Sequence, residues 1–275
     1  MATVIAVSSF VARGTVGLRA IMPALDRLGH ETIACPTILL SNHLGHARAA
    51  GGAVAPETLA AMIDVLDGNG WLAKADAVLT GYLPSPDHVR LVESLVTRVR
   101  AQRTDALIVC DAVLGDHPDG FYVPEGVAEA VRDRLAPLAT HMKVNLFELE
   151  FLSGRPVETF DEIVDAARSL PPPVALTSSV PIGTDRLANV VTMPGHTAQC
   201  TVALRSDVPH GTGDLLTASF LGHLLYGEDP STSVGFAAGA VDSVIALSRG
   251  NDELQLSGAT AWHEAPPLQM SRIDR

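Results

Sequence analysis

The sequence predicts a single α/β domain over residues 1–275, with a mostly parallel central sheet and helices on both faces. Three observations lead there. Short apolar, β-branched runs recur at residues 3–7, 32–40, 77–80, 107–110 and 174–177. Amphipathic segments separate them, and no break in composition divides the chain. Short, continuously apolar runs suit strands buried on both faces, and their alternation with helices argues for crossover-connected parallel strands. At 275 residues and 47% hydrophobic, the chain can fill one large core.

In chain order, a helix is expected over 16–28 after the first strand, then helices over 56–66, 86–103 and 124–135. The last three open on Pro56, Pro86 and Pro124. A proline in the first turn lacks only an N–H that would have no helical partner. Between 187 and 208 two strand-like runs meet at Met193-Pro194-Gly195-His196, a turn suited to an antiparallel hairpin at one sheet edge. Residues 214–225 carry an apolar stripe of Leu215, Phe220, Leu221, Leu224 and Leu225, and a second helix is expected over 231–247. The end of the chain, with Pro266 and Pro267 among polar side chains, offers little to bury.

A net charge of −12 disfavours nucleic acid and anionic membranes as partners. Arg98, Arg100 and Arg103 read as the solvated face of one helix. Cys35, Cys110 and Cys200 are odd in number and set in apolar runs, which suits free buried thiols in a reducing compartment. Residues 1–8 lack the pattern of a signal peptide and no stretch is expected to span a bilayer, so the cytoplasm is the expected location.

The most informative segment is Pro209-His210-Gly211-Thr212-Gly213-Asp214, directly before an apolar helix. Its glycines leave backbone amides uncovered at a helix N-terminus, where free N–H groups and the helix dipole favour an anion such as phosphate. Asp214 beside that site would be repelled by phosphate unless its carboxylate works on an uncharged group. Taking a proton from an acceptor hydroxyl, while the amides hold the transferring oxygens, is work that fits an alcohol kinase. An ordinary loop with a helix-starting Asp has the same pattern.

A kinase also needs a divalent cation, and Mg²⁺ takes one or two carboxylates with phosphates and waters. Asp111 and Asp116 stand at the exit of a buried strand, and Asn145 and Glu148 lie three residues apart on a short helix. Asp111 could equally form a turn, and Glu148 or Glu150 could be solvated. No Gly-x-x-x-x-Gly-Lys-Ser/Thr loop is present, so phosphate binding must come from the glycines near Asp214.

The whole chain resembles the pyridoxal kinases of the ribokinase-like superfamily. The matching stretches run in order: Ser9, Arg13-Gly14, Val16-Gly17, Ser41-Asn42-His43, residues 76–82, Cys110-Asp111, residues 113–116, Asn145 with Glu148, residues 152–154, residues 177–179, and residues 211–214. The resemblance implies a three-layer sandwich, ATP as donor, and the hydroxymethyl group of pyridoxal, pyridoxine or pyridoxamine as acceptor. It makes Asp214 the base and Gly211, Thr212 and Gly213 the anion hole. Ser9, Val16, His43 and Tyr82 would contact the vitamer. Asp111, Asn145, Glu148, Thr177 and Ser178 would serve the nucleotide. Asp116 and Glu148 would act on Mg²⁺, directly or through water, with Asp111 and Thr177 on a monovalent cation, K⁺ or Na⁺. A homodimer is implied as well, with a substrate-covering loop near 41–52 and a phosphate-side loop near 115–126.

Departures from the family pattern cluster on the acceptor side. Phe10, Leu18 and Leu44 stand where His, Asn and Thr are usual, and Lys143-Val144 replaces Thr-Pro, so that an ammonium can stand in for the monovalent ion. A hydroxymethylpyrimidine or related heterocycle kinase, or a ligand-binding homologue of weak activity, are therefore the competing readings. His43 and His46, three apart in a glycine-flanked loop, have a spacing that can serve a metal, but the resemblance places His43 over the acceptor. His210 is expected in the wall of the nucleotide pocket or exposed.

Overall fold

The computed structural model describes residues 1–257 and 261–273. The expected range of the domain also takes in 258–260 and 274–275, which lie outside the described residues.

One ten-stranded sheet organises the chain. Its strands are β1 (Thr3–Val11), β2 (Glu31–Leu40), β3 (Gly51–Ala53), β4 (Ala77–Thr80), β5 (Leu107–Asp111), β8 (His141–Val144), β9 (Val174–Ile182), β10 (Arg186–Met193), β11 (His196–Ala203) and β12 (Ser271–Arg272). Two short strands, β6 (Gly115–Asp116) and β7 (Gly120–Phe121), form a separate hairpin. The order across the main sheet is β12-β11-β10-β9-β8-β5-β4-β1-β2-β3. The pairs from β2 through β9 are parallel, and antiparallel pairs close both edges.

The parallel strands are apolar on both faces. On β1, Ile5 and Val7 join one core cluster while Val4 and Ala6 join another, as alternation along a strand requires. The first cluster is covered by α2 (Pro56–Gly68), α3 (Pro86–Gln102), α4 (Glu125–Ala130), α5 (Leu146–Ser153) and α6 (Phe160–Ser169). The opposite face is covered by α1 (Leu18–Arg27), α7 (Thr212–Leu225) and α8 (Pro230–Leu247). The three-layer arrangement is the one expected, and Cys35, Cys110 and Cys200 are buried free thiols.

Local sequence explains the helix starts. Ser85 caps α3 ahead of Pro86, Asp229 caps α8 ahead of Pro230, and Asn145 and Thr159 each form reciprocal capping boxes with Glu148 and Glu162. The predicted helix over 124–135 is α4 followed by a π-helical turn at Val131–Leu135.

Three expectations need correction. The hairpin of β10 and β11 is not the outermost pair, because β12 adds to β11. The chain after Pro266 does bury side chains: Leu268 and Met270 pack against the cluster containing Phe220, Val234 and Ala237. Finally, α8 is long and apolar enough by length and composition to cross a membrane. It packs against α7, β10 and β11, with Val234, Ala237, Ala238 and Val244 buried, as a core helix does.

The C-terminal segment can lie on α8 because Gly235 and Gly239 present no side chain to it. A Cβ at Gly239 would fall 2.4 Å from the Pro266 carbonyl oxygen and one at Gly235 2.8 Å from that of Leu268. In an open helix, Gly→Ala gains about 1 kcal/mol. Here the clash with backbone reverses the sign, since overpacking costs about 1–3 kcal/mol. Gly239→Ala is expected to lower the midpoint of thermal unfolding; a rise would show that the segment yields freely.

Candidate active site

The carboxyl ends of β1, β4, β5, β8 and β9 converge with the N-terminus of α7, where ligands collect in open α/β sheets. Gly211 precedes α7 with φ +100°, and a Cβ there would fall 1.8 Å from the Thr15 carbonyl oxygen, so only glycine fits. Gly17 has φ +56°, and its missing Cβ would overlap Ser9 Oγ at 2.2 Å. These two close approaches bring the turn of residues 211–214 against the chain that leaves β1. The amide of Gly17 donates to Asp214 Oδ2 at 2.9 Å, and among the described residues no donor reaches Oδ1. Burial, then the charge of Asp111, pushes the Asp214 carboxyl up to about 6, against the pull of the Gly17 amide and Lys143.

Ser9 is placed by an irregularity. The pairing of β1 with β2 slips between Ser8 and Phe10, and a slip of this kind re-aims the side chain within it. Ser8, fully buried, accepts from the Tyr82 amide at 3.2 Å, and Tyr82 is half-buried behind it. Val16 sits part-buried between Thr15 and Gly17.

Beneath the turn lies a network of buried charge. Lys143 Nζ donates to Asp111 Oδ1 at 3.1 Å, and Thr217, one turn into α7, donates to Asp111 Oδ2 at 2.5 Å. The same hydroxyl is 3.0 Å from the Gly213 carbonyl oxygen. A Cβ on Gly213 would come within 3.0 Å of Lys143 Nζ, so the ammonium lies directly under the glycine turn. Lys143 is 7% exposed and Asp111 3%. Burial alone works against the Lys143 charge, but Asp111, Glu148 and Asp214 outweigh it and raise its pKa.

Glu148 is spent on backbone. Its Oε1 accepts from the Leu114 amide at 2.9 Å and its Oε2 from that of Asn145 at 2.8 Å. Burial pushes this carboxyl up to about 7, opposed by Lys143 and the two amides. Asn145 caps α5 through Oδ1 and donates to the Gly115 carbonyl oxygen at 2.7 Å, holding the β6–β7 hairpin in place. Asp116 is exposed, with the His117 amide on Oδ1. At the exit of β9, Thr177 Oγ1 is buried without a partner among the described residues, and Ser178 donates to the Val144 carbonyl oxygen at 3.3 Å.

His43 does not stand alone. It lies with His46, His210 and Glu253, its ring 4.3 Å from that of His46 and 4.6 Å from that of His210. Leu44 beside it is 68% exposed. Phe10 and Leu18 point elsewhere, into the core cluster of Leu215, Leu221 and Trp262, so apolar packing occupies positions where polar groups were expected.

Sequence reasoning missed Thr217, Glu253 and Ser8 as supports of the site. For Thr217 a signal existed, since it lies one helical turn after Gly213 and Asp214 and therefore on their face of α7. No local pattern connects Glu253 to His43, 210 residues away in the sequence.

Comparison with known proteins identifies the family. The family model for phosphomethylpyrimidine kinase matches residues 17–257. A pyridoxal kinase, PdxY, of Rubrobacter xylanophilus is 33% identical, covering 97% of this chain and 95% of its own. A pyridoxine/pyridoxal/pyridoxamine kinase of Bordetella bronchiseptica is 35% identical over 93% of each chain. The pyridoxal kinase of Leishmania donovani, solved with ADP and pyridoxamine, superposes with a TM-score of 0.93 at 26% identity over 100% of both chains. A family model spanning most of the sequence and relatives covered nearly end to end lead to one conclusion: the chain belongs to the pyridoxal kinase family of the ribokinase-like superfamily.

Proposed function

We propose that this chain is a single-domain, ATP-dependent pyridoxal kinase, which transfers the γ-phosphoryl group of ATP to the 5′-hydroxymethyl group of pyridoxal, pyridoxine or pyridoxamine. The observation that carries the reading is Asp214, held by the Gly17 amide through one oxygen beside a glycine turn at a helix N-terminus. Asp214 Oδ1 takes the proton of the acceptor hydroxyl as its oxygen bonds to phosphorus and the bond to ADP breaks. The amides of Gly211, Thr212 and Gly213, with Lys143 beneath them, oppose the charge on the transferring oxygens.

Asp111, Glu148 and Asp214 set three carboxylates against the one ammonium of Lys143, so polyphosphate would be repelled without a divalent cation. Carboxylate oxygens suit Mg²⁺. Asp116, exposed at the phosphate side, would hold it, and Glu148, with both oxygens on amides, would reach it only through water. A monovalent ion at Asp111 and Thr177 does not fit this donor set. Lys143 and Thr217 already take the two oxygens of Asp111, and the Lys143 ammonium supplies the charge in place of K⁺ or Na⁺.

The reading extends to a cytoplasmic homodimer. Ile33 and Ala34 of β2 with Met62 and Val65 of α2 line an apolar groove, which a second copy would cover.

The apolar positions 10 and 18, with the name of the matching family model, favour a hydroxymethylpyrimidine as the second reading. Coupled assays of ATP against pyridoxal, pyridoxine, pyridoxamine and hydroxymethylpyrimidine decide it. Phosphorylated vitamer is expected, and product from the pyrimidine alone would replace the first reading by the second. Asp214→Asn is expected to lower kcat by about 10²–10⁴-fold while the fold is kept. Because the base must be ionised and its pKa is raised to about 6, kcat/KM of the natural chain should fall as pH drops through 6. A flat profile down to pH 5 would remove Asp214 as base. Turnover should be the same in buffers of K⁺ and of tetramethylammonium. Lys143→Met strands the buried Asp111 charge and should destabilise the fold by about 3–5 kcal/mol, with Asp111→Asn in the same chain restoring stability but not turnover. Activation of the natural chain by K⁺ would contradict the role given to Lys143.

A further inference from the structure

The loop over residues 41–50 is tied at its tip to the chain that follows α8. Glu253, 7% exposed, makes the tie. Its Oε2 accepts from the Thr15 amide at 3.2 Å, and its Oε1 lies 3.5 Å from His43 Nε2 and 3.1 Å from His46 Nε2. His43 Nε2 is buried and has no hydrogen-bond partner among the described residues. Arg13 stands 3.6 Å from the same carboxylate oxygen but is directed mainly at Asp252, at 2.7 Å.

One ligand atom from each of His43, His46 and Glu253 lies within 4.8 Å of the other two. A tetrahedral ion with bonds of about 2.0–2.2 Å needs ligand atoms about 3.3–3.6 Å apart. The edges of 3.5 and 3.1 Å from Glu253 to the two imidazoles already approach that size. We propose that His43, His46 and Glu253 form a binding site for a divalent ion of the zinc class, with the fourth position left to water or to His210.

Two imidazoles and one carboxylate suit Zn²⁺, Co²⁺ or Ni²⁺, whereas Mg²⁺ seeks an octahedron of oxygens. The site is therefore chemically separate from the cation expected at the phosphates. His43 Nδ1 accepts from the Gly45 amide at 3.2 Å, which leaves the ring proton on Nε2. Ion binding moves that proton to Nδ1, and the Gly45 amide, in the exposed loop, turns to water.

The consequence is mechanical. Glu253 also holds Thr15, whose carbonyl oxygen packs on Gly211, so an ion here fastens the loop to the chain that positions the glycine turn and Asp214. The bound ion keeps the acceptor side closed.

The test uses the untagged chain with no nucleotide or acceptor, so its outcome does not depend on the kinase reading. Co²⁺ titration should give one equivalent of a tetrahedral visible spectrum, removed by Zn²⁺. His46→Gln should keep the thermal midpoint of the natural chain and weaken binding by more than about 100-fold, beyond what loss of an outer-shell partner alone causes. Amide exchange over residues 41–50 should slow with Zn²⁺ in the natural chain and not in His46→Gln. Absence of saturable binding, or equal affinity in the variant, overturns the proposal.

Discussion

The arrangement of the site depends on how one buried ammonium is neutralised. Lys143 stands under the glycine turn with Asp111 at 3.1 Å, and Glu148 and Asp214 also raise its pKa. A buried charge without a partner costs several kcal/mol, so β5 and β8 must stay in register for the pair to survive. Asp111 then takes the Thr217 hydroxyl as well, which pins the first turns of α7 to the end of β5. The N-terminus of α7, proposed to face phosphate, is positioned from below by this network.

From above, the same turn is held by contacts that only glycine permits. Gly211 lies on the Thr15 carbonyl and Gly17 on Ser9, and these approaches carry the Gly17 amide to Asp214. Glu253 continues the chain of contacts through Thr15 to His43 and His46. The loop around His43 and the turn bearing Asp214 are thus joined through Thr15. Phe10 and Leu18 serve the core, so in the proposed function the ring falls to Ser9, Val16, Tyr82 and the loop around His43.

Parts of the fold were hard to read in the sequence for identifiable reasons. The strand β8 reads His-Met-Lys-Val, and its buried ion pair disguises it as polar. Two of the three residues in β3 are glycine, and β12 has only two residues, so neither carries a pattern of its own. The C-terminal segment looked dispensable because its burial depends on the glycines of α8, which lie about thirty residues earlier and register only once the two are packed together.

Local chemistry was enough to announce the alternating strands and helices, the glycine turn before α7 and the acid that follows it, because periodicity and backbone freedom are written in neighbouring residues. Position along the chain also marked Asp111 as a strand-exit residue and put Asn145 and Glu148 three apart on a short helix. It could not say that Glu148 gives both oxygens to amides, that Lys143 pairs with Asp111, or that His43 and His46 meet Glu253 with His210 against His43. Those outcomes were decided by tertiary packing, since the partner a buried polar group finds depends on which distant strand ends and loops are folded against it.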